Sequence, residues 1–257
     1  MTQLQMILFL CPIFFFTSFV DAVSGGGGLV ALPAYLFTGM PVHSAYACNK
    51  VGCVVGSFTS FIRFWKNGLI DMKTALFVGA VTFACSTCGA QIVLHLPDRP
   101  LKIMILASMP AVAALIFFQK NYPEVNRTSE ITGWKRVWLC LFSGAVMGFY
   151  DGVLGPGSGT LVMILFTKLL KYDLITASGN TKVILLASTL AASVSYILAG
   201  KVIWTVAIPV SLCGMLGGYV GAGMAIKKGT KFIRPMMLGI AALLVIKMAV
   251  DLAAGGQ

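Results

Sequence analysis

The stretch FVDAVSGGGGLVALP, residues 19–33, decides how the chain folds. Four consecutive glycines sit inside a long apolar region, and Asp21 stands four residues before the first of them. Glycine runs ordinarily make flexible linkers, but apolar sequence presses in from both sides and leaves no room for one. A second stretch, FYDGVLGPGSG at 149–159, repeats the pattern and aligns Asp151 with Asp21. Further out, NKVGCVVGSFTSFIRFWKNG at 49–68 matches TKVILLASTLAASVSYILAG at 181–200. This pairs Asn49 and Lys50 with Thr181 and Lys182, and Gly68 with Gly200. The offset passes from 130 to 132 residues, so the second copy holds two inserted residues. Matches in the same order along both halves indicate an internal duplication.

Composition sets the medium. Of 257 residues, 58% are hydrophobic and 11% charged, against roughly 25% charged in a soluble domain. The 28 glycines suit closely packed membrane helices. The formal charge of +11 lies in short loops between apolar runs rather than in a basic patch with interleaved aromatics. It therefore reads as membrane orientation, not as nucleic-acid binding. The seven cysteines are scattered through apolar segments, which argues against a disulfide framework. MTQLQMILFLCPIFFFTSF at the start lacks a basic leader and a small-residue cleavage site and reads as a retained membrane segment.

Lengths predict the topology. The apolar runs at 29–40 and 160–170 would make helices of roughly 18 and 16 Å, too short for a hydrocarbon core of about 30 Å. Each follows a glycine break. The expected fold is an all-α polytopic membrane protein of two inverted repeats, each a Gly-broken short-helix hairpin plus three transmembrane helices. Residues 1–119 form the first membrane repeat, 120–133 a polar cytoplasmic connection and 134–257 the second repeat. Placing the loops near 63–73, 120–136, 168–173 and 226–234 in the cytoplasm puts 13 of the 19 Lys and Arg residues there. Both termini then face outward. The first apolar arm, long enough to cross if tilted, is the weak point of this orientation.

Non-helical backbone at membrane depth needs protein or a water-filled cavity around it. A glycine break frees main-chain N–H groups, and the helix restarting after it directs a partial positive charge at the same spot. The expected substrate site is thus anionic: Gly25, Gly26, Gly27 and Gly28 with Gly157, Ser158 and Gly159, flanked by Asn49, Lys50, Thr181 and Lys182. The simpler reading of the glycines is close helix packing. Both lysines fall about 10–12 Å along their helices, where an ionisable group costs at least about 2.5–3.5 kcal/mol and marks a functional position. Asp21 and Asp151 are expected to balance that charge, or to take a coupling proton or cation. The alternative for each lysine is a structural ion pair with one of them. Lys50→Ala is expected to abolish anion binding and leave the fold intact. Asn180 and Ser24 are further polar candidates, with capping as the plainer role. Lys247 and Asp251, four apart, read as a helical ion pair, and His43 and His95 as interfacial. The CSTCG at 85–89 lies mid-span without a counterpart and reads as packing, with Ser86 and Thr87 a lesser candidate pathway lining. No metal or cofactor is expected, no nucleotide motif is present, and the chain reads as a transporter rather than an enzyme.

FVDAVSGGGGLVALPAYLFTGMPVHSAYACNKVGCVVGSFTSFIRFWKNGLID resembles the first half of the sulfite exporter TauE/SafE family, also called the toluene sulfonate uptake permease superfamily. GFYDGVLGPGSGTLVMILF with TASGNTKVILLASTLAASVSYILAGKVIW resembles its second half. The resemblance covers nearly the whole chain. It implies a multi-pass permease of the bacterial inner membrane, a secondary transporter moving sulfur-containing oxyanions such as sulfite or organosulfonates, with the direction of transport open. Cys48 and Cys53 beside Asn49–Lys50, and Ser158 within the second glycine cluster, depart from the plain pattern. The rival readings are an anion channel and an intramembrane thiol oxidoreductase using Cys85 and Cys88.

Overall fold

The computed structural model describes residues 1–119, 123, 125–131, 133–240 and 242. Lys120 and the expected Lys247–Asp251 pair lie outside the described residues. The first half contains α1 (Gln3–Ser24), α2 (Gly28–Phe37), α3 (Val42–Lys66), α4 (Met72–His95) and α5 (Asp98–Phe118). A 3-10 turn (Thr128–Glu130) precedes α6 (Gly133–Val153), α7 (Ser158–Leu169), α8 (Leu174–Leu198) and α9 (Trp204–Lys228). Residues 230–240 are also helical, as α10. Among the described residues there is no strand. The protein is an all-α polytopic membrane protein, and α1, α4, α5, α8 and α9 are each long and apolar enough to cross a bilayer. The ten residues of α2 and twelve of α7 span only about 15 and 18 Å.

Each short helix folds back along the arm before it. The Phe9 and Phe37 rings lie 5.8 Å apart, and those of Phe14 and Tyr35 5.9 Å, so α2 runs antiparallel to α1. The first arm therefore turns back at its break, and α3 starts from the end where α1 began. The duplication extends to backbone geometry. Gly25 and Gly155 have φ of 72° and 83°, Gly68 and Gly200 of 68° and 65°, and Gly39 and Lys171 of 82° and 55°, each pair at the offset read from the sequence.

The two halves interlock. Gly217 and Gly221 of α9 pack on the Phe15 and Phe19 carbonyls of α1. In the mirror arrangement, Gly148 and Gly152 of α6 pack on Thr82 and Ser86 of α4. In both cases the helices run parallel and the absence of a Cβ permits the approach. At the centre α3 and α8 pass antiparallel, with Tyr46 6.1 Å from Tyr196 and Phe64 against Gly179. Large apolar side chains such as Leu8, Phe77, Leu115, Trp138 and Leu216 are exposed around the outside, as a lipid-facing surface requires.

One end of the bundle gathers most of the basic loops. Asp71 caps α4 through Thr74, pairs with the Arg136 guanidinium of α6 and accepts from Tyr172 Oη at 3.2 Å. Lys171 bonds Glu130 at 2.6 Å, and Gly229 sits over Ile175. Burial works against a charged Asp71, but the Thr74 hydroxyl and N–H, Tyr172 and Arg136 outweigh it and hold the carboxyl below its ordinary range. At the other end His43 Nδ1 meets Asp98 at 2.8 Å and His95 caps the Gln91 carbonyl, so both histidines sit at helix ends, as expected.

Candidate functional site

The site grows from the two glycine breaks. α1 ends when Gly25 takes a left-handed conformation and its N–H returns to the Asp21 carbonyl at 2.8 Å. An L side chain is strained there. The two breaks meet back to back: Thr160 N–H donates to the Gly25 carbonyl at 3.2 Å, and Thr160 Oγ1 to the Ser24 carbonyl at 2.8 Å. A Cβ on either Gly25 or Gly159 would run into the other's backbone. Close packing is thus what these two glycines provide at the junction.

The lysines cross between halves. Lys50 Nζ lies 2.8 Å from Asp151 Oδ2 and 2.6 Å from the Asp151 carbonyl. Their side chains are 3% and 5% exposed, a buried ion pair. Ser158 donates to Asp151 Oδ1 at 2.6 Å, and Ser188 to Oδ2 at 2.5 Å. Ser86 Oγ stands 2.8 Å behind Ser188 Oγ. In the mirrored position Lys182 Nζ bonds the main-chain carbonyl of Asp21. Lys50→Ala would strand this buried carboxylate, a cost in stability beside the expected loss of binding.

Between the breaks lies a cavity of about 30 Å³, room for a water or two. Asp21, Asn49, Lys50, Asp151 and Ser158 line it, together with Gly25 and Gly28. Gly28 and Ser158 are the first residues of α2 and α7, so two helix N-termini bound the space with an ammonium beside them. The remaining expected residues stand behind this wall. Gly26 packs near Ile240, Gly27 against Thr17 and Asp21, and Gly157 against Val112 and Leu29. Thr181 bonds the Ala177 carbonyl within its own helix, and Lys182 is fully enclosed behind Asp21. Ser24 likewise bonds Val20 O, while Asn180 holds the α3–α4 loop by accepting from Asp71 N–H at 3.1 Å.

Several contributors were not among the expected site residues. Ser57 and Thr189 line the cavity from α3 and α8, as do Cys53 and Leu185 one turn before them. Each pair is related by the offset of 132, so the duplication already held that signal. Tyr46 also lines the cavity and reaches the carbonyls of Val153 and Leu154. Ser188 had no signal, because its counterpart is Gly56. Cys85 and Cys88 are free thiols outside the cavity lining, and Cys88 is exposed. Ser86 reaches the Asp151 network, whereas Thr87 bonds its own helix at Phe83. Among the described residues no group of three or more His, Cys, Asp or Glu is placed to hold a metal ion.

The chain is 28% identical to a probable membrane transporter protein, ORF9, of a Sinorhizobium species, over 96% of this chain and 94% of the relative. It is 29% identical to a probable membrane transporter protein of Haemophilus influenzae, over 92% of each. With the probable membrane transporter protein YfcA of Escherichia coli it shares 28% identity over 91% of this chain and 86% of the relative. No solved structure gives a significant match. The family model described as sulfite exporter TauE/SafE matches residues 10–248, and the chain belongs to that family of membrane transporters.

Proposed function

We propose that this transporter moves a small sulfur-containing oxyanion, such as sulfite or an organosulfonate, by alternating access around the central cavity. The observation that carries the reading is the junction of the two glycine breaks, where two helix N-termini and the Lys50 ammonium converge on one small polar space. Main-chain N–H groups and a point positive charge are the chemistry that oxyanions bind. The antiparallel passage of α3 and α8, which are counterparts in the duplication, supports inverted repeats of residues 1–119 and 134–257. Rocking one repeat against the other would expose the cavity to each side in turn. The clustered basic loops support a cytoplasmic placement for that end and outward termini in an inner membrane.

In this reading Lys50 is held by Asp151 while the cavity is empty, and an anion competes with Asp151 for the ammonium. The cavity is too small for an oxyanion and a closed counter-ion pair together, so binding has to open the junction. Calorimetry with a panel of sulfur oxyanions tests this on wild type and on Lys50→Met/Asp151→Asn, which removes both charges together. Saturable binding to wild type that is lost in the variant is the expected result. Equal binding by the variant, or no binding of any panel member by wild type, overturns the reading.

A further inference from the structure

The duplication makes the two aspartates counterparts, and their surroundings differ in a consistent way. Asp151 accepts from Ser158 and Ser188, with Ser86 behind Ser188. Applying the offsets of 130 and 132, the residues in those places around Asp21 are Gly28, Gly56 and Gly218. All three hydroxyls are absent from one copy. The correspondence is structural as well as numerical, since Ser86 Oγ bonds the Ser188 carbonyl and Gly218 packs on the Gly56 carbonyl. The lysine clamp is split in the same way. Both lysines bond the main-chain carbonyl of the opposite aspartate, but only Lys50 also holds a carboxylate oxygen.

Among the described residues no side-chain donor bonds the Asp21 carboxylate, and the donor that faces it is the main-chain N–H of Gly27. A second cavity of about 10 Å³, enough for one water, opens beside Asp21 where Gly28 and Gly56 replace the serines of the other copy, and Thr17, Ser18 and Ser57 also bound it. The titratable and charged groups that face Asp21 are Lys182 from α8, Lys50 and Cys53 from α3, and Asp151 from α6. A buried carboxylate with few donors on it gains most from taking up a proton.

We propose that Asp21 is the proton-binding site that couples transport to the proton gradient, while Asp151 anchors Lys50 through its carboxylate. The proposal rests on the anion-transport reading of the central cavity and assigns its coupling ion. Lys182 supplies the linkage. It is fully enclosed, and Asp21 stands between it and the cavity. Ionised Asp21 balances the Lys182 charge. Once Asp21 is protonated that charge is unbalanced, and an anion in the cavity takes over the role. Proton and anion binding then favour each other, each by the same factor.

Two measurements on the purified full-length protein separate this proposal from the substrate reading. The first needs no substrate: the carbonyl stretch of a protonated carboxylic acid, followed by infrared difference spectroscopy across a pH titration. Every carboxyl group contributes to that band in acid, so the expected result is one component present in wild type, missing from Asp21→Asn and retained in Lys50→Met/Asp151→Asn. Gly28→Ser returns one hydroxyl to Asp21, and a Cβ there meets only ordinary contacts at 3.5 Å and beyond. It is expected to move the titration to about tenfold higher proton concentration. Titrations of wild type and Asp21→Asn that superimpose, with no component lost, overturn the proposal.

The second measurement uses methanesulfonate, a strong acid whose own charge does not titrate, in proteoliposomes holding a trapped pH dye. Anion uptake with proton movement in wild type, and uptake without it in Asp21→Asn, is expected. Uptake without proton movement in wild type overturns the coupling and spares the anion reading.

Discussion

The buried pair Lys50–Asp151 yields the sharpest test of how the centre is held. Its atoms are 2.8 Å apart with both side chains almost fully enclosed. Removing one partner of a buried pair costs about 3–5 kcal/mol, because the other charge is left without compensation. After Lys50→Met, Asp151 keeps the Ser158 and Ser188 hydroxyls, which places the loss at the low end, about 3 kcal/mol. Asp151→Asn leaves the Lys50 ammonium with a carbonyl at 2.6 Å and no counter-charge, a loss of similar size. The double variant has neither charge to strand and regains most of the deficit; with about 3 kcal/mol lost in each single variant and about 1 kcal/mol in the double, the coupling between the sites is about 5 kcal/mol. For a chain of this length about 1 kcal/mol moves the unfolding midpoint by ~2–4 °C. Thermal unfolding in detergent, followed by tryptophan fluorescence, should show each single variant about 6–12 °C below wild type. The double variant should lie within a few degrees of it. Additive losses, with the double variant the least stable, would refute the pairing.

Three further outcomes follow from the same geometry. Gly25→Ala places a side chain at φ 72° and against the Gly159 and Thr160 backbone, so it should cost more than the ~1–3 kcal/mol of ordinary overpacking. Expression of folded protein, read by size-exclusion chromatography, checks this, and a monodisperse, wild-type-like Gly25→Ala contradicts the back-to-back junction. Asp71, held below its ordinary range, lends stability that is fully present above its unfolded value near ~4 and is lost as pH falls through the folded value. The stability gap between wild type and Asp71→Asn should accordingly be constant at neutral pH and close in acid; a gap that widens on acidification opposes the assignment. Cys85→Ser/Cys88→Ser should transport like wild type in the methanesulfonate assay, and loss of uptake would revive the thiol reading.

The breaks, the duplication and the two deep lysines were legible in the sequence because each leaves a local mark. A glycine run, a repeated D-x-x-x-G spacing and a charge inside an apolar run need no knowledge of the partner. Their pairing was not legible. Asp21 could have met Lys50, its neighbour in the same half, yet the halves interlock so that Lys50 meets Asp151 and Lys182 meets Asp21. Only the antiparallel passage of α3 and α8 determines that exchange. Asn180 looked like a ligand because it precedes Thr181–Lys182, but on the helix it faces the α3–α4 loop and holds Asp71. Ser188 was hidden for the opposite reason. It is an ordinary residue in a helix and acquires meaning only when set against Gly56, its counterpart in the other copy.

The same substitution of polar for apolar groups separates the two ends of the bundle. At the basic end Asp71, Arg136 and Tyr172 form a charged junction between the α3–α4 loop, α6 and the α7–α8 loop. Their counterparts by the offsets of 132 and 130 are Ile203, Met6 and Met40, which pack in one apolar cluster with Leu10 and Cys48. Asn180, which accepts from Asp71 N–H, corresponds to Cys48, which accepts from Ile203 N–H at 3.4 Å. The backbone contact is kept and the chemistry around it is changed. A perfectly symmetric repeat pair would make the inward-facing and outward-facing states equal in energy. Opening one end breaks charge-assisted hydrogen bonds that water can replace, and opening the other exposes apolar surface that it cannot. In the proposed cycle two unlike ends therefore set the inward-facing and outward-facing states at different energies, while the gradients across the membrane set the direction.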